Sequence, residues 1–320
     1  MPGLVAGPLR AELIPGGRSN LTYRLTDGTH RWVLRRPPLG HVLATAHDMA
    51  REFRVISALS DTDVPVPHTV HLCADEEVLG APFYVMNEVT GEILRDRIQA
   101  EALGADKCAA IGGELIDVLA RLHTLDPASV GLADFGRPQG YLHRQVARWQ
   151  KQLQASRSRE VAGIDDLHDQ LADSVPETQR FSLLHGDYRL DNVLVDTAAP
   201  RITAVLDWEM ATLGDPLADL GLLVLYAGSH PEDPITGGVT SVPGYPSVAQ
   251  SVQRYAERTG IDVSTLDWYV ALAGFKLAVV LEGIHYRFTQ GKTVGAGFDR
   301  IGDAVPGLVQ GGLAALASLR

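Results

Sequence analysis

Two polar segments of the sequence carry the residue types that phosphoryl transfer requires. The first reads His-Gly-Asp-Tyr-Arg-Leu-Asp-Asn over residues 185–192, and the second reads Asp-Trp-Glu over residues 207–209, directly after an apolar run. Phosphoryl transfer needs little covalent chemistry from a protein, so a carboxylate that orients the reacting hydroxyl and oxygen ligands for Mg²⁺ make up most of the machinery. Both kinds of group occur between residues 185 and 209.

These residues have a catalytic and a structural interpretation. In the catalytic one, Asp187 accepts or orients the proton of the substrate hydroxyl, Asn192 is an oxygen ligand to Mg²⁺, and Asp207 is the principal metal carboxylate. In the structural one, the segment is a hairpin with Asx turns, because Asp and Asn are common turn formers. A turn is the better explanation of Asp187 or Asn192 taken singly, whereas the ordered set of three favours catalysis.

The flanking residues predict how this loop is held. Apolar strands at 182–184 and 193–195 would fix both of its ends. His185 is expected as a buried imidazole that hydrogen-bonds the loop backbone. Asp219, near the start of a predicted helix, is expected to brace the loop through backbone N–H groups. Arg189 could neutralise phosphate charge or pair with an acid.

Composition and charge indicate a globular enzyme. The 320 residues exceed the usual size of one domain, and 45% hydrophobic with 21% charged residues argues against disorder or coiled coil. With 28 basic and 39 acidic residues the formal charge is −11, which argues against nucleic acid or an anionic membrane as a partner. Cys73 and Cys108 lack metal-ligand spacing and indicate reduced thiols. No signal peptide or membrane-spanning run is evident, so we predict a cytoplasmic protein.

The pattern of elements changes near residue 90. Before it, short extended segments with Gly, Pro and Asp turns surround one helix at 46–59, which predicts a small antiparallel sheet. After it, amphipathic helices predominate. We therefore predict an α+β protein with a nucleotide-binding lobe over residues 1–88 and a larger, mainly helical lobe over 89–320, with a cleft between them as the nucleotide site. The segment 228–246, rich in Gly and Pro, predicts a lid or a disordered loop.

The order of these motifs resembles a known family. His-Gly-Asp, four residues, then Asn, followed by an apolar strand ending in Asp-Trp-Glu and by Gly-Asp-Pro-x-x-Asp-Leu, resembles the aminoglycoside phosphotransferases and their choline-kinase relatives, which share the protein-kinase-like fold. The resemblance covers essentially the whole chain. The segments 32–38 and 51–55 look most similar to the branch that includes kinase-like domains fused to acyl-CoA dehydrogenases.

The resemblance implies ATP and Mg²⁺ as cofactors and a bilobal protein-kinase-like fold. It also implies Asp187 as the catalytic base and Asn192 and Asp207 as the metal ligands. Glu52 would be the helix acid that holds a phosphate-binding cation. Glu88 and Val89 would form the hinge that hydrogen-bonds adenine through the backbone.

The sequence departs from protein kinases at two places. The third strand ends in Arg35 where those kinases have lysine, and Arg35 is the candidate phosphate cation because arginine binds phosphate in a fork; an exposed strand arginine is the alternative. The loop at 15–20 lacks the three-glycine spacing, although Gly17, Ser19 and Asn20 could still lay backbone N–H groups over the phosphates. A plain β-turn explains this loop equally well.

The leading hypothesis is an ATP-dependent kinase acting on the hydroxyl of a small molecule, and a nucleotide-binding pseudokinase is the alternative. An aminoglycoside would need an acidic pocket, and a hydroxyacyl-CoA would need basic groups and an apolar channel. We expect the helix at 266–287 to line the substrate pocket, although core packing explains its aromatic and basic residues equally well. The candidate substrate residues are Arg189, Glu209, Tyr269, His285 and Arg287. Either a monomer or a homodimer fits this hypothesis.

Overall fold

The computed structural model describes residues 5–14, 20–38, 48–228, 238–292, 298 and 300–319. Two of the predicted phosphate-loop residues, Gly17 and Ser19, lie outside the described residues, as do residues 229–237 of the predicted lid at 228–246. The chain forms two compact units, each assembled from three stretches of sequence. Unit 1 comprises Met1–Leu94, Asp126–Ala133 and Leu190–Ala211, and unit 2 comprises Arg95–Leu125, Asp134–Arg189 and Thr212–Arg320. The division into lobes at residues 88 and 89 stays a prediction.

Unit 1 is built on a five-stranded antiparallel sheet in the order β1-β2-β3-β5-β4. Its strands are β1 (Arg10–Leu13), β2 (Leu21–Thr26), β3 (Arg31–Arg36), β4 (Thr69–Cys73) and β5 (Phe83–Asn87). Alternating apolar residues of the strands form a buried core of Leu25, Trp32, Leu34, Phe83 and Val85. The periodicity of the strands therefore produces one apolar face, as the sequence predicts.

One helix of unit 1, α1 (Met49–Leu59), packs against this sheet and carries an acid inward. The Asp48 side chain caps it by accepting a hydrogen bond from the N–H of Arg51 at 2.9 Å. Met49, Glu52, Val55, Ile56 and Leu59 are buried and follow helical spacing. Glu52 is thus buried among apolar residues of the same face. A four-residue helix, α2 (Glu76–Leu79), follows β4.

A β-hairpin completes unit 1. Strands β7 (Val193–Asp196) and β8 (Arg201–Val205) pair antiparallel, and 3₁₀ turns lie at Leu190–Asn192, Trp208–Met210 and Pro127–Val130. Gly91 lies against this hairpin so closely that a Cβ there would come within 2.8 Å of Thr203 Oγ1 and 2.9 Å of the Leu194 Cβ. Only glycine fits at that crossing.

Unit 2 is mainly helical. Its helices are α3 (Arg97–Leu103), α4 (Ala105–Thr124), α5 (Tyr141–Ser156), α6 (Ile164–Asp173), α7 (Leu217–Ala227), α8 (Val248–Thr259), α9 (Leu266–Thr289) and α10 (Val305–Ser318). Strands β6 (Ser182–Leu184) and β9 (Thr212–Gly214) pair antiparallel, and further 3₁₀ turns lie at Val239–Ser241 and Ile301–Ala304. The predicted α+β class is confirmed, with a small antiparallel sheet and a larger helical part.

Helix α9 is the central helix of unit 2, packed against α5, α6, α7 and α10. Among the helices that the structure describes, it alone is long and apolar enough to cross a membrane by length and composition, with a mean hydropathy of 1.3. Because 67% of its apolar window is buried inside the fold, packing within the protein explains the same composition.

Candidate active site

The β7–β8 hairpin brings the two predicted metal ligands to one end of the same element. Val193 pairs with Val205, and the N–H of Leu206 donates to the Asn192 carbonyl at 2.8 Å. Asp207 is the next residue, so it and Asn192 both sit at the open end of the hairpin, and both are partly buried. An amide oxygen and a carboxylate fit Mg²⁺, which is usually held by one or two carboxylates together with phosphate and water. The described residues contain no group of three or more His, Cys, Asp or Glu side chains that could hold a metal ion.

Asp207 has an unusual backbone conformation. Its φ is 64° and its ψ 59°, and among the described residues it is the one non-glycine residue with positive φ. A left-handed residue other than glycine costs roughly 1–2 kcal/mol, and such strain is concentrated at functional sites. The following Trp208 is buried, and its Nε1–H donates to the Val205 carbonyl at 3.0 Å, which fixes the turn. The direction of the Asp207 carboxylate is therefore set by a tightly held turn.

Arg35 links the acid of α1 to the acid of the hairpin. On β3, its Nε lies 3.1 Å from Glu52 Oε1, and its Nη2 contacts Asp207 Oδ1. Burial alone would lower the Arg35 pKa, but the charges of Glu52, Tyr84 and Asp207 outweigh burial and raise it. Arg35 is thus not an exposed strand arginine, because only 13% of its side chain is accessible. It stays charged and lies between two carboxylates.

The acids around Arg35 outnumber it. Asn20 is 4% exposed, and its Nδ2 donates to Glu209 Oε2 at 3.2 Å, so the candidate substrate residue Glu209 is bound to a residue of the predicted phosphate loop. Burial raises the pKa of Glu52 to about 7, with the charges of Asp207 and Glu209 adding to the rise and Arg35 opposing it. A bound cation would relieve this excess of negative charge.

The predicted hinge lies at the end of β5. The N–H of Glu88 donates to the Arg31 carbonyl at 3.4 Å, and its carboxylate accepts from Arg24 Nε at 2.6 Å. Val89 follows and is partly buried. The structure therefore ties Glu88 to the sheet on both its backbone and its side chain, and the contact of this segment with adenine stays a prediction.

In unit 2, the loop after β6 is held by Asp219 of α7. Asp219 Oδ2 accepts from the N–H of His185 at 2.7 Å, and Oδ1 accepts from the N–H of Gly186 at 2.9 Å. The His185 ring is fully buried, and its Nδ1 accepts from the N–H of Asp187 at 3.2 Å. The Asp219 carboxylate and the His185 ring therefore both accept hydrogen bonds from the backbone of the loop.

The Asp187 carboxylate is partly exposed and has polar neighbours on two elements. Tyr226 of α7 donates its hydroxyl to Asp187 Oδ1 at 3.4 Å, and Arg189 Nε lies 4.0 Å from Oδ2. The Arg189 guanidinium also lies 5.0 Å from the centroid of the Tyr226 ring. Burial and the Asp187 charge raise the Tyr226 pKa, so its hydroxyl keeps the proton it donates.

Sequence reasoning missed two residues around this loop, His123 and Tyr226, and it predicted Lys276 only as part of the helix that lines the substrate pocket. His123 of α4 is fully buried; its Nε2 lies 3.3 Å from Asp219 Oδ2 and its Nδ1 2.7 Å from the Tyr255 hydroxyl. Burial alone would raise the Asp219 pKa, but the hydrogen bond and charge of His123, with those of His185, lower it. The sequence signal for His123 is that a polar residue occurs on the buried side of a predicted helix.

The three substrate candidates on α9 have different surroundings. Tyr269 is 1% exposed and donates its hydroxyl to Asp215 Oδ2 at 2.9 Å, a position that does not fit a substrate contact. His285 is partly buried against the 3₁₀ turn that contains Gly302, where a Cβ would lie 2.8 Å from its Nδ1. Arg287 is exposed in the last turn of α9. The helix instead reaches the Asp187 loop through Lys276, whose Nζ donates to the Gly186 carbonyl at 2.7 Å.

Comparison with known proteins decides the family. Residues 10–250 match the model of the phosphotransferase enzyme family, APH. The chain belongs to this family. This confirms the resemblance that the motifs predict.

The curated relatives of this chain are longer proteins. It is 36% identical over 289 residues to acyl-CoA dehydrogenase family member 11 of Rattus norvegicus, a match that covers 86% of this chain and 36% of that protein. It is 34% identical over 296 residues to acyl-CoA dehydrogenase family member 10 of Mus musculus, covering 91% of this chain and 28% of that protein. The chain thus spans about a third of the length of these relatives.

Solved structures show the fold. A candidate aminoglycoside phosphotransferase from Ralstonia eutropha JMP134 has a TM-score of 0.86 and 34% identity, covering 99% of this chain and 94% of that one. Aminoglycoside phosphotransferase APH(4)-Ia in ternary complex with ADP and hygromycin B has a TM-score of 0.62 and 17% identity, covering 97% and 94%. The protein therefore has the kinase-like fold of these structures, and the family to which it belongs is one of phosphotransferase enzymes.

Proposed function

We propose that this protein uses ATP and Mg²⁺ to phosphorylate a hydroxyl group of a small molecule. The observation that carries the proposal is the arrangement in unit 1, where Arg35 contacts both Glu52 and Asp207 and where Asn192 lies beside Asp207 at one hairpin end. The crystallised complexes of APH(4)-Ia with ADP or AMP-PNP support a nucleotide as phosphoryl donor.

The candidate site residues of unit 1 bind the nucleotide and its metal ion. Arg35, held by Glu52, binds phosphate oxygens, and the backbone at Glu88 and Val89 receives adenine. Asn20, the described residue of the predicted phosphate loop, would lay its backbone N–H over the phosphates. Asn192 and Asp207 would hold Mg²⁺, which supplies positive charge against the phosphate oxygens.

Asp187 serves as the base in unit 2. As the acceptor oxygen forms its bond to the γ-phosphorus, the hydroxyl proton passes to an Asp187 oxygen, the bond from the γ-phosphorus to the β–γ bridging oxygen breaks, and ADP leaves. His185 and Asp219 keep the loop in place. Arg189 lies near enough to Asp187 to contact the acceptor or the transferred group.

For the acceptor we propose a hydroxyacyl thioester of coenzyme A, with an aminoglycoside-like alcohol as the second candidate. The names of the acyl-CoA dehydrogenase relatives support the first. So does the cation beside Asp187, since Arg189 would repel a polycation and attract the phosphates of a coenzyme. We also propose that the protein acts in the cytoplasm, as a monomer or a homodimer.

The test is a transfer assay with labelled ATP and Mg²⁺ against hydroxyacyl-CoA thioesters, aminoglycosides, choline-like alcohols and sugars. We expect the mass of one acceptor class to rise by one phosphoryl group. Asp187→Asn is expected to abolish the transfer while ATP binding persists, and EDTA is expected to stop it.

Asp196→Asn is the matched control, because the Asp196 carboxylate accepts from the N–H groups of Ala198 and Ala199 in the hairpin turn and has no proposed role in transfer. It should retain transfer within a few-fold of the wild type. Mg²⁺-dependent ATP binding without transfer to any member of the panel would instead indicate a nucleotide-binding module without turnover.

A further inference from the structure

Lys276 is a cation in the middle of α9, within an apolar stretch of that helix. On α9 it lies between Phe275, which is buried, and Leu277, which is partly buried, and it is itself only partly exposed. Its Nζ lies 5.7 Å from the centroid of the Trp149 ring and donates to the Gly186 carbonyl. Removing an ammonium group from water is costly unless its surroundings compensate, so this position calls for an explanation.

The charged groups facing Lys276 come from three elements. Burial lowers the Lys276 pKa; the charges of Asp187 and Asp219 oppose this effect, and Arg148 on α5 adds to it. The two carboxylates offset part of the cost of burying the ammonium group. One of those carboxylates belongs to the candidate base, and the other braces the loop.

The backbone of Gly186 is hydrogen-bonded at both its N–H and its carbonyl. Its N–H donates to Asp219 Oδ1 at 2.9 Å, and its carbonyl accepts from Lys276 Nζ at 2.7 Å. Gly186 also has a φ of 85°, in the left-handed region that favours glycine. Rotation of the peptide group between Gly186 and Asp187, which contains this carbonyl, would redirect Asp187.

We propose that Lys276 is a positioning residue for phosphoryl transfer, which fixes the Gly186 carbonyl so that, together with Asp219, it sets the direction of the Asp187 carboxylate. The inference rests on the proposed function of Asp187. It assigns Lys276 to the loop rather than to the substrate pocket.

The first test compares Lys276→Met with Leu277→Met, a conservative change at the next position of the same helix. Loss of a charge-assisted hydrogen bond predicts a kcat about 10- to 100-fold lower for Lys276→Met, with the dissociation constant for a fluorescent ATP analogue within about two-fold of the wild type. Hydrogen–deuterium exchange of the peptide covering residues 182–190 should become faster. Leu277→Met should match the wild type in all three measurements.

A chemical rescue separates the ammonium group from packing. Lys276→Cys is alkylated with 2-bromoethylamine; the cysteine sulfur forms a C–S bond, bromide leaves, the thiol proton goes to solvent, and the side chain again ends in an ammonium group. Iodoacetamide gives a neutral adduct of similar length. The wild type treated in parallel controls for reaction at Cys73 and Cys108.

Recovery of most of the lost kcat with the aminoethyl adduct, and not with the neutral one, is the expected result. Equal recovery with both adducts would assign Lys276 to packing and overturn the inference. A Lys276→Met protein with wild-type kcat and unchanged hydrogen–deuterium exchange of residues 182–190 would also overturn the inference. Absence of transfer by the wild type itself would overturn the proposed function instead, so the two failures are distinguishable.

Discussion

Asp219→Asn is the substitution that most directly tests how the candidate catalytic loop is built. The carboxylate accepts from two backbone N–H groups, those of His185 at 2.7 Å and Gly186 at 2.9 Å, and lies 3.3 Å from His123 Nε2. Asparagine has nearly the same shape but only one acceptor oxygen. One of the two backbone donors would therefore face an NH₂ group.

The expected cost follows from these contacts. Losing one hydrogen bond to a charged group removes roughly 1.5–3 kcal/mol, and leaving a buried N–H unpaired costs roughly 1–3 kcal/mol more. Because Asp219 is 1% exposed, water cannot replace the lost partner. We expect Asp219→Asn to lower the free energy of unfolding by about 3–5 kcal/mol and to lower kcat at least about tenfold.

The effect should depend on pH with a definite sign. The pKa of Asp219 is lower in the folded protein, because His123 and the loop outweigh burial. Its contribution is therefore present above the pKa of an unfolded aspartate, about 3.9, and is lost as the pH falls through the lower folded value. The stability difference between wild type and Asp219→Asn should be largest at neutral pH and shrink below about pH 4.

Urea unfolding gives the stability, and the transfer assay gives kcat. Asp215→Asn is the matched control, since Asp215 is also buried near the start of α7 but accepts from Leu217 N–H and the Tyr269 hydroxyl rather than from the loop. It should lose stability while its kcat stays within about three-fold of the wild type. An Asp219→Asn protein as stable as the wild type, or a kcat lowered equally by both variants, would refute the argument that Asp219 braces the loop.

Substitutions at three further positions test separate features of the site. Arg35→Met should destabilise the fold by about 3–5 kcal/mol in urea unfolding because Glu52 loses its buried partner, while Arg35→Lys should mainly raise the KM for ATP. Gly186→Ala should lower the stability by about 1–2 kcal/mol, measured by thermal unfolding, because alanine resists a φ of 85°. Tyr269→Phe should leave the KM for the acceptor unchanged, because the hydroxyl is used by Asp215; a change above about three-fold would return Tyr269 to the substrate site.

The positions of the candidate site residues in unit 1 could largely be predicted, because they lie on elements whose pairing and inward faces can be read from the sequence. Asn192 and Asp207 flank two apolar runs that form one hairpin, so their approach follows from strand alternation and a turn. Arg35 and Glu52 lie on a strand and a helix whose inward faces are visible in the sequence. The positive φ of Asp207 could not be predicted, since aspartate adopts that conformation only where its surroundings impose it.

The contacts around Asp187 were harder to predict because they join residues far apart in the chain. Lys276 and Gly186 are 90 positions apart, and His123 and Asp219 are 96 apart, and periodicity does not identify which buried polar groups will pair. Helix α9 adds a second difficulty, because a helix that is apolar on nearly all sides has no face that periodicity can assign to a pocket. For that reason the sequence predicts a substrate contact for Tyr269, which is aromatic and carries a hydroxyl, whereas the structure buries it. In such a helix, a charged residue among apolar neighbours is the better signal, because its desolvation requires a partner, and here that reasoning leads from Lys276 to the peptide next to the candidate base.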